Sequence, residues 1–305
     1  MNSAVSEPAL IGIDWGTSSL RTFLIGAQGE VLDSVTTGEG IMQIPDRNLD
    51  AVFDRLVGSF PSNAGLPIVV SGMITSRNGW VETPYVTMPT GPEHLAQSLA
   101  RHQSQSGALI HFVTGATTEH IGGPDVMRGE ETQIIGSAAL GLSDGVFVMP
   151  GTHSKWVHVA GGKIQDFATY MTGEVFASLK DHTILGTLME VSDFDLPAFQ
   201  KGVSAAQDRR ANLLHDLFHV RTLPLMGKLK ETETADFLSG LLIGTEIVAA
   251  LRKNEAKRVT IVGRNDLADR YEIALQAVGI SCHRAPDDIA AKGHFLIAQA
   301  AGLLT

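Results

Sequence analysis

The sequence predicts an α/β protein made of two halves of one kind, each led by a three-stranded meander. Three observations carry this. The stretch "LIGIDWGTSSLRTFLIGAQGEVLD", residues 10–33, alternates short apolar runs with the small polar turns Gly16-Thr17-Ser18-Ser19 and Gly26-Ala27-Gln28-Gly29. That is how strands joined by glycine-containing turns look. The stretch "GVFVMPGTHSKWVHVAGGKIQDFATYMTGE" then repeats the plan. Gly151 and Gly161 stand at the same offset from Gly16 and Gly26, and Thr152 follows Gly151 as Thr17 follows Gly16. Matched turn chemistry at a fixed offset points to duplication. Finally, 305 residues exceed the size at which a single core usually stops growing. Two domains are expected, at 1–143 and 144–305, with the last helix free to pack back on the first.

In order along the chain, residues 9–14, 20–26 and 30–35 are expected as strands. "NLDAVFDRLVGSF" is a helix with Leu49, Val52, Phe53, Leu56 and Val57 on one face. "LPIVVSG" is a buried strand running into a loop, "ALIHFVTG" a further strand, and "GEETQIIGSAALGL" a helix. After the second meander come helices near 172–181, 195–206 and 234–252, the strand "RVTIVG", the helix "DLADRYEIALQAVG", the strand "ISCHRA" and a last helix from about Asp287.

Apolar residues make up 44% and charged residues 18%, a globular balance. The net charge of −10 argues against nucleic acid or an anionic membrane as the main partner. A single cysteine, Cys282, excludes an intramolecular disulfide and fits a reducing compartment. The opening "MNSAVSEPAL" has no basic segment before an apolar one, so no signal peptide is expected. The longest apolar helical run, "FLSGLLIGTEIVAALR", is broken by Glu246 and falls short of the ~20 residues that span a bilayer. A cytoplasmic protein is expected.

The two first turns carry the chemistry. Small residues let the backbone approach a ligand, and consecutive N–H groups with hydroxyls make an anion nest suited to phosphate. A carboxylate beside such a nest would repel phosphate unless a cation stood between them. Asp14 therefore suggests Mg²⁺, held directly or through water. Two domains of this kind facing each other would form a cleft for a metal–polyphosphate.

The order of these features resembles the actin-like (ribonuclease H-like) ATPase superfamily, which includes sugar kinases. Six stretches in order, "IDWGTSSLR", "SGMITSRNGW", "VMRGEETQIIG", "MPGTHSKWV", "YMTGE" and "DFLSGLLIG", resemble the 2-dehydro-3-deoxygalactonokinase family. The resemblance implies two actin-like domains and ATP with Mg²⁺. It also implies phosphorylation of the 6-hydroxyl of 2-dehydro-3-deoxygalactonate in galactonate catabolism. Another sugar or sugar-acid kinase, such as one for the gluconate epimer, is the alternative, and a non-kinase ATPase of the actin or Hsp70 kind is a more distant one.

Under that resemblance Gly16, Thr17 and Ser18 face the γ-phosphate, and Gly151, Thr152, His153 and Lys155 hold the other phosphates, with Lys155 as the one cation of its turn. Related kinases carry a catalytic acid in a pattern like Gly-Asp-Gln-Gln-Ala. Here the position is Gly129-Glu130-Glu131-Thr132-Gln133, which makes Glu130 the base, with Glu131 as alternate. A sugar acid needs cations or N–H donors for its carboxylate. Arg77 and Arg128 are candidates, with Trp15, Met73, Asn78 and Trp80 on the cleft wall and Thr172 and Glu174 from "YMTGE". Gly240 and Gly244, four apart in a helix where each glycine costs ~1 kcal/mol, imply close approach by nucleotide or by another helix. Gly263, Arg264 and Asn265 belong to the loop that lies under adenosine in this superfamily. The expected partner is a small sugar acid, with a homo-oligomer open.

The pair His215 and His219 in "HDLFH" has metalloprotease spacing but Asp216 where the base would be and no third ligand, so a structural or solvated pair is expected. No G-x-x-x-x-G-K-[ST], G-x-S-x-G or post-strand G-x-G-x-x-G occurs.

Overall fold

A computed structural model describes residues 7–60, 65–208, 212–253, 256–286 and 288–304. Residues 1–6 of the opening stretch and Asp287 lie outside the described residues. The chain divides into two compact units, one of residues 1–144, 159–167 and 286–305, the other of residues 145–158 and 168–285.

The first unit is built on β1 (Pro8–Trp15), whose middle four residues are all buried. β2 (Leu20–Gly26) and β3 (Val31–Thr37) continue the antiparallel meander, with Ile13 opposite Thr22 and Asp14 opposite Arg21. After α1 (Leu49–Gly58), β4 (Ile68–Ser71) pairs parallel to β1 and puts Ser71 beside Asp14. Then come β5 (Tyr85–Thr87), α2 (Pro92–Gln97), β6 (Ala100–Gln103), β7 (Leu109–Phe112), β8 (Gly115–His120), β9 (Gly123–Met127) and α3 (Glu130–Ala138). Among the described residues one sheet has the order β3-β2-β1-β4-β7-β6 and a smaller one the order β5-β8-β9. The small sheet is not legible in the sequence. "GATTEH" and "GPDVM" lack apolar alternation, and Pro124 is tolerated because β9 is an edge strand.

The second unit holds β10 (Gly145–Met149), β11 (Ser154–Ala160), β12 (Lys163–Tyr170), α4 (Thr172–His182), α5 (Leu196–Gln207), α6 (Leu213–Leu225), α7 (Thr234–Lys253), β13 (Arg258–Ile261), α8 (Asn265–Ala277) and β14 (Ser281–Arg284). Its sheet runs β12-β11-β10-β13-β14, the β11–β12 tip being grouped with the first unit. The chain ends in α9 (Ile289–Ala300), which packs on α3 and β1 within the first unit. A Cβ on Gly293 would meet Thr132 O at 1.9 Å and one on Gly136 would meet Ile289 O at 2.0 Å. The two helices therefore cross backbone to backbone, which fixes the helix that begins at Glu130.

α7 lies where the sequence predicts a helix, near 234–252, and the preceding turn adds to its length. Glu231–Arg252 is long and apolar enough to cross a bilayer, but 72% of its apolar window is buried, as in a core helix. Gly240 and Gly244 lie where this helix packs against another, the helix-packing alternative of the two. A Cβ on Gly240 would lie 2.0 Å from Phe199 O, and one on Gly244 would lie 2.9 Å from the Ala206 Cβ. The close partner is α5. Gly240→Ala gains ~1 kcal/mol of helix propensity against overpacking of about 1–3 kcal/mol. The expected result is a lower melting temperature. A rise would show that α5 can move away at little cost.

Candidate active site

In the first unit the chemistry gathers at the C-terminal end of β1. Asp14 is part-buried and accepts a hydrogen bond from Gln133 Nε2 at 3.3 Å. Its carboxyl is pushed up from 3.8 to about 6, first by burial, against the lowering effect of Arg21 and with a further rise from the Glu130 charge. Glu130 and Gln133 are three apart in α3 and share a face; Gln133 bonds to Asp14, and Glu130 lies close enough for its charge to act on it. The next turn is open. Thr17 and Ser18 are exposed, and a Cβ on Gly40 would lie 2.3 Å from Ser18 N and the Thr17 backbone. Ile41 N and Met42 N donate to Gly16 O and Thr17 O at 3.0 and 3.2 Å. A second segment of chain thus holds the turn from behind and leaves its hydroxyls facing out.

The two adjacent acids separate cleanly. Glu131 is fully buried and folds back on its own helix start, accepting from Gly129 N at 2.7 Å and Thr132 Oγ1 at 3.1 Å. Burial, then the Glu130 charge, pushes its carboxyl up to about 7. A value near 7 suits a base, but geometry comes first, and this carboxylate has no exposed surface to offer a substrate hydroxyl. Glu130 is part-exposed and accepts from Arg128 N at 2.9 Å. Of the two acids, Glu130 is the one with exposed surface, and the alternate, Glu131, has none.

Several expected cleft residues are core. Trp15 is fully buried and donates from Nε1 to Glu39 O at 2.9 Å. Trp80 makes edge contacts with Trp15, Phe53, His102 and Phe112, at centroid distances of 5.1–6.3 Å. Met73, on a short helical turn after β4, packs against the same core. Arg128 turns inward too. Its Nη1 donates to Thr75 Oγ1 at 2.8 Å and Thr83 Oγ1 at 2.6 Å, its Nη2 to Thr83 O at 3.0 Å, and its guanidinium lies 4.3 Å over the Tyr85 ring. It straps the loop after β4 to the start of α3, so it is corrected from substrate contact to structural tie. Arg77 and Asn78 are exposed, with Arg77 Nε 3.5 Å from Glu82.

In the second unit, Gly151, Thr152 and His153 form the turn between β10 and β11, with Thr152 and His153 exposed. His153 pairs with Glu174 at 2.5 Å, and Glu174 N donates to Thr152 O at 3.0 Å. A Cβ on Gly173 would meet Gly151 O at 2.4 Å, so the first turn of α4 lies directly on this turn. Lys155 lies inside β11 and is 5% exposed, so it is not one of the exposed residues of the turn. Beside the turn is a mostly apolar cavity of about 170 Å³, walled by Thr172, Phe176, Leu242, Ile243, Leu267 and Tyr271, with Ser239 and Arg270 as polar members. Gly263, at φ +150°, Arg264 and Asn265 are exposed and not among its walls; Leu267 lines it from the first turn of α8. The cavity residues escaped the sequence reading because, on α4, α7 and α8, they look like ordinary core. The one signal was Glu246, an acid inside an apolar run, which in a buried helix must find donors.

His215 and His219 are exposed on α6 with rings 5.0 Å apart, and among the described residues no group of three or more His, Cys, Asp or Glu could hold a metal.

The model of the 2-keto-3-deoxy-galactonokinase family matches residues 14–297. The chain belongs to that family. The family match takes in both units, from Asp14 to the last helix. The chain is 35% identical over 283 residues to the 2-dehydro-3-deoxygalactonokinase of Escherichia coli (strain K12), covering 92% of this chain and 94% of that one. A crystal structure of a Sinorhizobium meliloti protein assigned as a 2-dehydro-3-deoxygalactonokinase superposes with a TM-score of 0.86 at 33% identity, covering 95% of this chain and 98% of that one. More remotely, component A of the (R)-2-hydroxyglutaryl-CoA dehydratase of Acidaminococcus fermentans shares the fold, with a TM-score of 0.54 at 13% identity, covering 97% of this chain and all of that one. The architecture is the actin-like α/β fold, with a sheet in each unit.

Proposed function

We propose that this chain transfers the γ-phosphoryl group of ATP to the 6-hydroxyl of 2-dehydro-3-deoxygalactonate. The observation that carries the reading is the part-buried Asp14, coupled to Glu130, beside an exposed turn of hydroxyls and small residues. Phosphoryl transfer asks mainly for positioning, charge neutralisation and an acceptor for the hydroxyl proton. Glu130 is that acceptor. Gly16, Thr17 and Ser18 receive the γ-phosphoryl group; Gly151, Thr152 and His153 serve the other phosphates. The apolar cavity beside Gly151 takes the nucleoside.

A lone carboxylate without two acidic neighbours does not make an all-protein Mg²⁺ cage. It fits the usual Mg²⁺ arrangement of one carboxylate with waters and substrate phosphates. Asp14 would be that carboxylate, and the ion would neutralise charge on the transferring group. A cation there would also favour the ionised form of a carboxyl that burial holds near 6. The reaction belongs to the cytoplasm, with a small sugar acid as partner.

Arg77, the exposed cation of the loop after β4, is the candidate for the substrate carboxylate. Arg77→Ala is expected to raise the KM for the sugar acid about tenfold or more, as loss of one charge-assisted contact predicts, with the KM for ATP unchanged. An unchanged KM for the acid removes Arg77 from the site. The reading as a whole is tested by coupled ADP release with Mg-ATP on 2-dehydro-3-deoxygalactonate, its gluconate epimer and a panel of neutral hexoses. Preference for the galactonate supports it. Activity on neutral hexoses alone keeps the kinase and discards the acid substrate. ADP release indifferent to any acceptor overturns the kinase.

A further inference from the structure

We propose that Glu246 is a positioning residue for the nucleotide, one carboxylate that sets the second phosphate turn, the start of α4 and the wall of the nucleoside cavity in register. The inference rests on the reading that the second unit binds ATP.

Glu246 is 2% exposed in the middle of α7. Its Oε1 accepts from Ser154 Oγ and Trp156 Nε1, both at 2.7 Å. Its Oε2 accepts from Tyr271 Oη at 2.7 Å and from Thr172 Oγ1. A carboxylate offers about four lone-pair sites, and here four donors from three other elements engage them. Burial pushes the carboxyl upward, and the four donors oppose that shift. Burial and the Glu246 charge also hold the Tyr271 phenol well above its ordinary value, so it stays a donor.

The donors have a common destination. Ser154 is the first residue of β11 after the Gly151–His153 turn. Thr172 and Tyr271 line the cavity. Thr172 also begins α4, whose next residues, Gly173 and Glu174, rest on Gly151 and Thr152. A well-packed apolar residue would generally hold a core as cheaply as a buried carboxylate does. The carboxylate differs in fixing directions: it fixes the floor of the turn and one wall of the cavity from a single point.

The cleanest variants are Ser154→Ala and Trp156→Phe, since both residues are buried and neither lines the cavity. Each removes one donor to Oε1 and leaves every cavity-lining residue in place; Ser154 also bonds to Tyr271, so Trp156→Phe is the more selective of the two. Calorimetric Kd for a non-hydrolysable ATP analogue is expected to rise about threefold to tenfold in each. The KM for the sugar acid and kcat at saturating ATP should stay within twofold. A merely structural role would lower the melting temperature and leave that split unmoved. Glu246→Ala should weaken binding further, and Glu246→Gln should recover most of it. Its amide oxygen still accepts from Ser154 and Trp156, and its NH₂ can donate to the Thr172 and Tyr271 hydroxyls once these turn. Nucleotide binding equal to the parent in Ser154→Ala and Trp156→Phe overturns the inference while the kinase stands. Failure of the parent protein to bind the analogue overturns the functional reading beneath it.

Discussion

Glu130→Gln is expected to lower kcat on the order of 10²-fold or more, the usual scale for loss of a positioned proton acceptor. The amide has the same length as the acid and keeps an oxygen that can accept from Arg128 N, so the start of α3 should hold its shape. The KM for ATP should move little, because the loss falls on the transferring step and not on ground-state binding. Glu131→Gln is the paired control. Glu131 is fully buried and bonded to its own helix start, so its substitution should change the melting temperature and leave kcat within about tenfold of the parent. Near-normal turnover in Glu130→Gln, with a large loss in Glu131→Gln, would exchange the two roles. It would also mean that the segment around Gly129 rearranges when substrate binds.

That contrast shows where the sequence was sufficient. The strand–turn–strand pattern of residues 10–33 was legible because apolar runs and glycine turns are local signals, and β1, β2 and β3 lie where they predict. Asp14 was legible because an acid ending an apolar run beside hydroxyls is odd on its face. Direction of side chains was not legible. Glu130 and Glu131 differ by one helical step, about 100° of rotation, and nothing local says which of them enters the core. The same holds for Arg128: nothing local says that Thr75, Thr83 and Tyr85 will surround it. Trp15 looked like a wall because its chain neighbours are polar, yet in a strand alternate residues face opposite sides, and Trp15 takes the core side. The α5–α7 contact at Gly240 is likewise long-range, which is why spacing alone left two explanations open.

Asp14→Asn is expected to stabilise the fold and abolish most of the activity, and the two effects share one cause. The Asp14 carboxyl is held near 6 in the folded protein against an ordinary 3.8. Between those two values the native state binds a proton that the unfolded chain has released, so stability falls as pH rises through that window. The cost is fully present above pH 6 and absent below pH 4. A shift of this size corresponds to at most about 3 kcal/mol, less for whatever solvent the part-buried group retains. Asparagine has the same shape, can still accept from Gln133 and carries no charge to bury. At pH 7.5 the variant should therefore melt several degrees above the parent, and at pH 4 most of the difference should be gone. Turnover should fall about 10²–10³-fold, as expected when charge stabilisation of the transition state is removed. Mg-ATP should raise the parent's melting temperature more than the variant's, since a ligand that binds only the folded state stabilises in proportion to its affinity. Equal melting temperatures at pH 7.5 would show that Asp14 is solvated in the resting protein. Full activity in the variant would show that the carboxylate at the end of β1 is not where the metal–phosphate is held.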